Sequence, residues 1–177
     1  MRRLVLMFVA LFFGICSAQV ARAQDSVQIF GGYSYLRPSV NVDSLGEHPN
    51  LNGWEVSGTY NMLKWLGATA DFSGHYGTDS GANTHYQTYL FGPQVRLPGP
   101  VSPFAHVLIG AAHESFNAPG LFSASGNAFA AAVGAGIDIK LVPFVSLRPI
   151  QLDYLVTRFG SSTQNQPRAS AGLVVHF

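Results

Sequence analysis

Arg168-Ala169-Ser170-Ala171-Gly172-Leu173-Val174-Val175-His176-Phe177 closes the chain, and its side chains divide by position. One parity holds Ala169, Ala171, Leu173, Val175 and Phe177; the other holds Arg168, Ser170, Gly172, Val174 and His176. Successive strand side chains point to opposite faces, so this segment makes a strand with one greasy wall and one small or polar wall. An apolar strand that runs to the carboxylate reads as a chain finished by closing a sheet.

The same two-residue period recurs upstream. Trp54, Val56, Gly58 and Tyr60 oppose Glu55, Ser57, Thr59 and Asn61, and Leu66, Ala68, Ala70 and Phe72 oppose Gly67, Thr69, Asp71 and Ser73. Tyr89, Phe91, Pro93 and Val95 alternate with Thr88, Leu90, Gly92, Gln94 and Arg96, and Ala105, Val107, Ile109 and Ala111 with His106, Leu108, Gly110 and Ala112. Phe129 to Lys140 sets Val133, Ala135 and Ile137 against Ala132, Gly134, Gly136, Asp138 and Lys140; its two glycines and the placement of its charges favour strand over helix. In Val145 to Tyr154, Arg148 and Asp153 share a face only if a bulge intervenes, and Pro149 is the place for one. With Val27 to Tyr35 first and the terminal run last, eight strands are predicted.

The connections alternate in length. Those at 37–51, 77–83, 117–126 and 155–166 read as roomy, polar or Gly-rich loops; those at 62–64, 97–102 and 141–144 read as tight turns. Alternating long and short connections, an even strand count and strands of about ten residues are the pattern of an outer-membrane barrel. The fold class is therefore all-β, an eight-stranded antiparallel up-and-down transmembrane β-barrel, with four displayed loops and both termini in the periplasm. A soluble lipocalin-like barrel is the rival. It would turn its greasy parity inward and coat its outside with charge, which the sparse, Gly- and Ala-rich charged parity does not supply.

Residues 1–23 read as a secretory signal: basic Arg2 and Arg3, an apolar run from Leu4 to Phe13, and a small-x-small cleavage site at Ala21 and Ala23. Residues 24–177 form the barrel domain. Cys16 reads as an ordinary residue of the apolar run, because Ile15 stands where a lipoprotein would carry a small residue. Cleavage removes Arg2, Arg3 and Arg22, leaving seven Lys or Arg against nine Asp or Glu, which is no footprint for nucleic acid. It also removes the one cysteine, so the expected mature chain has neither disulfides nor thiolate metal sites.

The opening Val27-Gln28-Ile29-Phe30-Gly31-Gly32-Tyr33-Ser34-Tyr35, the Phe91-Gly92-Pro93-Gln94 and Pro103-Phe104-Ala105-His106 stretches, the Asp153-Tyr154 pair and terminal Phe177 resemble the OmpA-like eight-stranded outer-membrane barrel family. The resemblance spans essentially the whole mature chain. It implies export, a barrel standing alone in the membrane as a monomer, and insertion by the outer-membrane barrel assembly machinery, which reads a final strand carrying Leu173, Val175 and Phe177. The peptidoglycan-binding domain of full-length members has no counterpart here, so anchoring to the cell wall is not implied.

Eight strands enclose an interior just wide enough for side chains. The inward parity offers Glu55, Asp71, Asp138 and Asp153 with Arg96, Lys140, Arg148 and Arg168, a balanced set of four acids and four bases. Paired, hydrogen-bonded charge is tolerated in such an interior and unpaired charge is not, so an ion-pair network plugging the lumen is expected. The alternative is a narrow ion or solute path lined by the same charges.

The histidines form no metal-site spacing and read as polar residues at the rims, although His75 and His85 could approach across one hairpin. No metal and no cofactor is expected. His113-Glu114-Ser115 is the enzymatic suggestion: His113 and Ser115 share the lipid-facing parity, and outer-membrane lipid A deacylases use a His-x-Ser pair to attack an acyl ester. An orienting acid should follow, and no glutamate lies beyond Glu114, so an enzyme is not expected. Trp65, Phe144 and Phe177 mark the periplasmic interface, and Tyr35, Trp54, Tyr76, Tyr86 and Phe116 the outer one. The sequence thus supports a structural or surface-interaction barrel, whose partners are outer-membrane lipid, lipopolysaccharide or another surface, with a small channel as second reading.

Overall fold

The computed structural model describes residues 26–37, 51–79, 82–118, 122–159 and 162–177. Its strands are β1 (Val27–Leu36), β2 (Leu51–Asn61), β3 (Leu66–Asp79), β4 (Ala82–Arg96), β5 (Val101–Ala118), β6 (Phe122–Val142), β7 (Val145–Phe159) and β8 (Ser162–His176). Each pairs antiparallel with the next, and β8 returns to β1, so the sheet is a closed up-and-down barrel. The seam is tied at its end by Val27 N donating to Phe177 O at 3.2 Å and Phe177 N donating to Val27 O at 2.9 Å. Closure leaves every strand with two neighbours, the condition for crossing a membrane with strands.

Alternation sorts the walls. On β8, Arg168, Ser170, Val174 and His176 are buried, and Leu173 is 50% exposed. On β6, Ala130, Ala132 and Asp138 are buried, whereas Phe129 and Val133 are 59% and 54% exposed. Ile109, Phe91, Leu152 and Tyr154 continue the exposed apolar wall around the barrel. The greasy parity faces out, the arrangement of a lipid-embedded barrel and the inverse of a lipocalin.

The β7–β8 ladder shifts register between Arg148 and Gln151, and Pro149 and Ile150 are both exposed there. Proline has no N–H to give to the ladder. The bulge at this point turns Arg148 and Asp153 to the same, inner side.

Three of the four roomy connections are corrected. Strand structure runs to Asp79 and resumes at Ala82, runs to Ala118 and resumes at Phe122, and runs to Phe159 and resumes at Ser162. β5 and β6, with 18 and 21 residues, exceed the roughly 9–11 residues that a tilted strand needs to cross a bilayer. Beyond the membrane both faces of a hairpin meet water, so alternation fades while the backbone ladder continues; Ser162 to Gln166 is polar throughout yet paired with β7. On its other side β6 pairs with β7 only from Phe129 onward. The signal segment with Ala21, Ala23 and Cys16, and most of the first connection, with His48, lie outside the described residues.

Candidate functional site

Inward side chains of seven strands meet in a polar network across the middle of the barrel. Arg168 of β8 is the hub. Its Nη1 donates to Asp71 Oδ1 at 3.0 Å and to Ser73 Oγ at 3.1 Å. Its Nε donates to Asp153 Oδ2 at 2.9 Å, its Nη2 lies 2.8 Å from the same oxygen, and its Nε lies 3.5 Å from Glu55 Oε2. A guanidinium presents five donors in a fixed fork and carries no acceptor, which suits it to bind three carboxylates from β2, β3 and β7 at once.

Gln151 links this hub to a second pair. Its Nε2 donates to Glu55 Oε1 at 2.7 Å and to Asp153 Oδ2 at 2.9 Å, while its Oε1 accepts from Arg148 Nη1 at 2.7 Å. Arg148 binds Asp138 in a fork, Nε to Oδ1 at 2.7 Å and Nη2 to Oδ2 at 3.0 Å. Its guanidinium lies between the rings of Phe30 and Phe104, 4.4 Å and 4.1 Å from their centroids. Two aromatic faces replace the water a buried cation has lost.

Histidines and serines extend the network. His106 Nε2 lies 2.7 Å from Asp153 Oδ1. Glu55 Oε2 accepts from Ser170 Oγ at 2.5 Å; Ser170 meets Ser34, and Ser34 meets His75 Nε2, each at 2.9 Å. His176 Nε2 pairs with Ser146 Oγ at 2.7 Å. A Cβ at Gly134 would overlap Asp153 Oδ1 and His106 Nε2, and one at Gly136 would stand 2.6 Å from the Phe104 ring. These two β6 glycines leave the space that the Asp153–His106 pair and the Phe104 face occupy.

On one side of the network lies an apolar cluster of buried residues: Leu36, Leu51, Tyr86, Leu90, Leu108, Ala112, Ala130, Ala132 and Leu155. On the other, at the end holding both strand termini, opens a cavity of about 690 Å³ lined by Lys64, Arg96, Lys140, Asp138, Ser146 and His176 among others. Arg96 Nη2 donates to Ser102 Oγ there at 3.3 Å.

Six of the eight expected charges are buried: Glu55, Asp71, Asp138, Asp153, Arg148 and Arg168. Arg96 is half-buried and Lys140 exposed at the cavity mouth, so the buried layer holds four carboxylates against two guanidiniums and not a balanced set. Both missing cations sit near strand ends, where a long side chain reaches the mouth. Leu173 and Phe177 face outward and Val175 is half-buried on the same side.

The rim reading of the histidines is corrected: His75, His106 and His176 are buried, and His85 is exposed, so His75 and His85 lie on opposite faces of their hairpin. Tyr86 likewise leaves the outer girdle for the interior. Gln151, Ser34, Ser73 and Ser170 carry no charge and were assigned no role in the sequence, although Ser73 and Ser170 stood on the inward parity; the parity that placed His106 inward was the available signal. His113 and Ser115 are half-buried on the outward parity of β5, and His113 Nδ1 is hydrogen-bonded to Asn127 Oδ1 at 2.7 Å. Among the described residues no group of three His, Cys, Asp or Glu is placed to hold a metal.

Solved structures with the same architecture include Neisserial surface protein A (13% identity, 86% of this chain and 97% of that one, TM-score 0.73). Ail, the attachment invasion locus protein of Yersinia pestis, matches at 20% identity over 84% of this chain and 97% of its own, with TM-score 0.58. OprG from Pseudomonas aeruginosa matches at 12% identity, 85% and 95% coverage and TM-score 0.56. No curated protein sequence is matched. The family model of the outer membrane protein β-barrel domain matches residues 8–177, nearly the whole chain. The chain belongs to that family, as an integral β-barrel protein of the Gram-negative outer membrane.

Proposed function

We propose that this barrel is a structural, surface-interaction protein whose lumen does not conduct. The observation that carries the reading is the Arg168 hub bound to Asp71, Asp153 and Glu55, backed by the apolar cluster around Leu108 and Leu155. An ion on this route would have to displace several charge-assisted bonds and then pass a packed, largely apolar section, both costly steps.

Both termini lie in the periplasm in this reading, because they share an end with the short turns and a barrel's long connections face outward. The long hairpins then meet lipopolysaccharide or an opposing surface; Ail, one of the structurally similar proteins, is named the attachment invasion locus protein. The protein acts as a monomer inserted by the barrel assembly machinery, with Leu173, Val175 and Phe177 presented on the outward side of the closing strand.

A small channel is the second reading, favoured by the cavity of about 690 Å³ and its Lys64, Arg96 and Lys140 lining. Single-channel recording of the refolded protein in a planar bilayer separates the two. Silence from a barrel shown to be folded by heat-modifiable gel mobility is expected. Reproducible discrete conductance would replace the plugged barrel with the channel.

A further inference from the structure

We propose that the cavity of about 690 Å³ at the end holding both strand termini binds a small soluble phosphate ester, held by Lys64, Arg96 and Lys140. These cations come from three separate places in the chain: the turn after β2, the last residue of β4 and the end of β6. Backbone bonds hold the three places together. Arg96 N donates to Trp65 O at 2.9 Å, next to Lys64, and Lys140 N donates to Pro100 O at 2.8 Å, in the turn that follows Arg96. In that turn Leu97 N donates to Pro103 O at 2.9 Å and Ser102 Oγ donates to Gly99 O at 2.9 Å. With Pro98 and Pro100 locking their own backbone, the wall between Arg96 and Lys140 is fixed before a ligand arrives.

The chemistry of the lining selects an anion. Among the described residues that line the cavity, Lys64, Arg96 and Lys140 stand against one carboxylate, Asp138, and Arg148 already holds that carboxylate in a fork. An ammonium has three donors and a guanidinium five, so each takes a ligand oxygen beside any protein partner it has. A phosphate monoester presents three acceptor oxygens in different directions and carries a charge of about −2, which suits cations arriving from three segments. A carboxylate offers two oxygens in one plane. Met62, Leu63 and Pro98 give the same cavity an apolar side for an organic body, and its volume is that of a small-molecule site. The ligand comes from solution, because Arg96, Ser102, Asp138 and Ser146 stand on the inward parity of their strands, while lipid lies against the outward one.

In the plugged-lumen reading, on which the single entrance depends, the Asp138–Arg148 pair closes the inner end and the cavity opens to the periplasm alone. A phosphate ester then enters and leaves by the same mouth and is not passed across the membrane. The barrel has two working ends, an outer one that meets surfaces and an inner one that takes phosphorylated solutes of the periplasm.

Isothermal titration calorimetry of the whole refolded protein in zwitterionic micelles tests the site with adenosine monophosphate, inorganic phosphate, adenosine and acetate. Saturable binding of adenosine monophosphate, and weaker binding of inorganic phosphate, is expected, and both should weaken as sodium chloride rises. Arg96→Gln, Lys140→Gln and Lys64→Gln should each lower the affinity for adenosine monophosphate about ten-fold, the loss of one charge-assisted bond. Arg158→Gln, which removes an exposed cation at the opposite end of β7, should leave it unchanged. Lys64 is exposed in a turn, so its variant tests the site even if a strand-end variant fails to fold. The same titration in phosphatidylglycerol nanodiscs separates the sources of phosphate: binding that persists there supports a soluble ligand, and binding lost only there names a lipid headgroup as the occupant and overturns the proposal. A flat isotherm, equal binding of adenosine or acetate, or an affinity that all three cavity substitutions leave intact would overturn it as well. Conductance of the same preparation in a planar bilayer would remove the plugged reading and leave the isotherm standing, so the two fail separately.

Discussion

Gly134 shows how much one missing methyl group decides. Its inward side is taken by Asp153 Oδ1 and His106 Nε2, whereas the outward sides of Gly31 and Gly58 meet nothing within 4 Å. Gly134→Ala should therefore destabilise the barrel by about 1–3 kcal/mol, the usual cost of overpacking, and Gly31→Ala should leave it unchanged; urea titration of the two variants in lipid vesicles checks the contrast. Neighbouring Val133 and Ala132 test the walls themselves. Val133→Arg, on the lipid side, should cost about 2–4 kcal/mol and impair insertion, and Ala132→Ser, facing inward, should be tolerated. At this scale the sequence was readable wherever a side chain carried charge within a regular run, as with Glu55 and Asp71. It was silent on the role of Phe30 and Phe104, because parity can turn an aromatic ring inward without saying that it holds a guanidinium.

Between strands, the network ties together segments far apart in the chain. Arg168 of β8 meets Asp71 and Ser73 of β3, and Gln151 of β7 meets Glu55 of β2. Removing one partner of a buried ion pair leaves the others uncompensated, at about 3–5 kcal/mol. Arg168→Met, which leaves three carboxylates without their shared cation, should show a loss of that size in denaturant unfolding, and adding Asp71→Asn should recover part of it. Strand number, order and facing were legible because lipid on one side and a narrow interior on the other impose a strict period of two. Hairpin lengths were not, because that constraint ends where the strands leave the membrane; Gln164 and Asn165 alternate in facing without alternating in character. Arg96 and Lys140 were counted into the middle layer for a related reason, since parity fixes the side of the wall and not the depth.

For the molecule as a whole, closure of β1 on β8 makes a joint between its two ends. Ile29 and Val175 are register partners across that joint and both point outward. The one native cysteine lies at position 16. An Ile29→Cys, Val175→Cys pair should cross-link under oxidation in the folded protein and not in the urea-unfolded chain, seen as a mobility shift abolished by reductant. The barrel wall is complete, but the β5–β6 hairpin, which has the longest strands among the described residues, is not enclosed by it. Among the described residues, Phe122 to Ala128 of β6 have register partners in β5 and none in β7. An uncovered strand margin of this kind is a template for another extended chain. The projecting arm is therefore open to recruitment by main-chain pairing, which asks for an extended backbone of adequate length and little about its sequence.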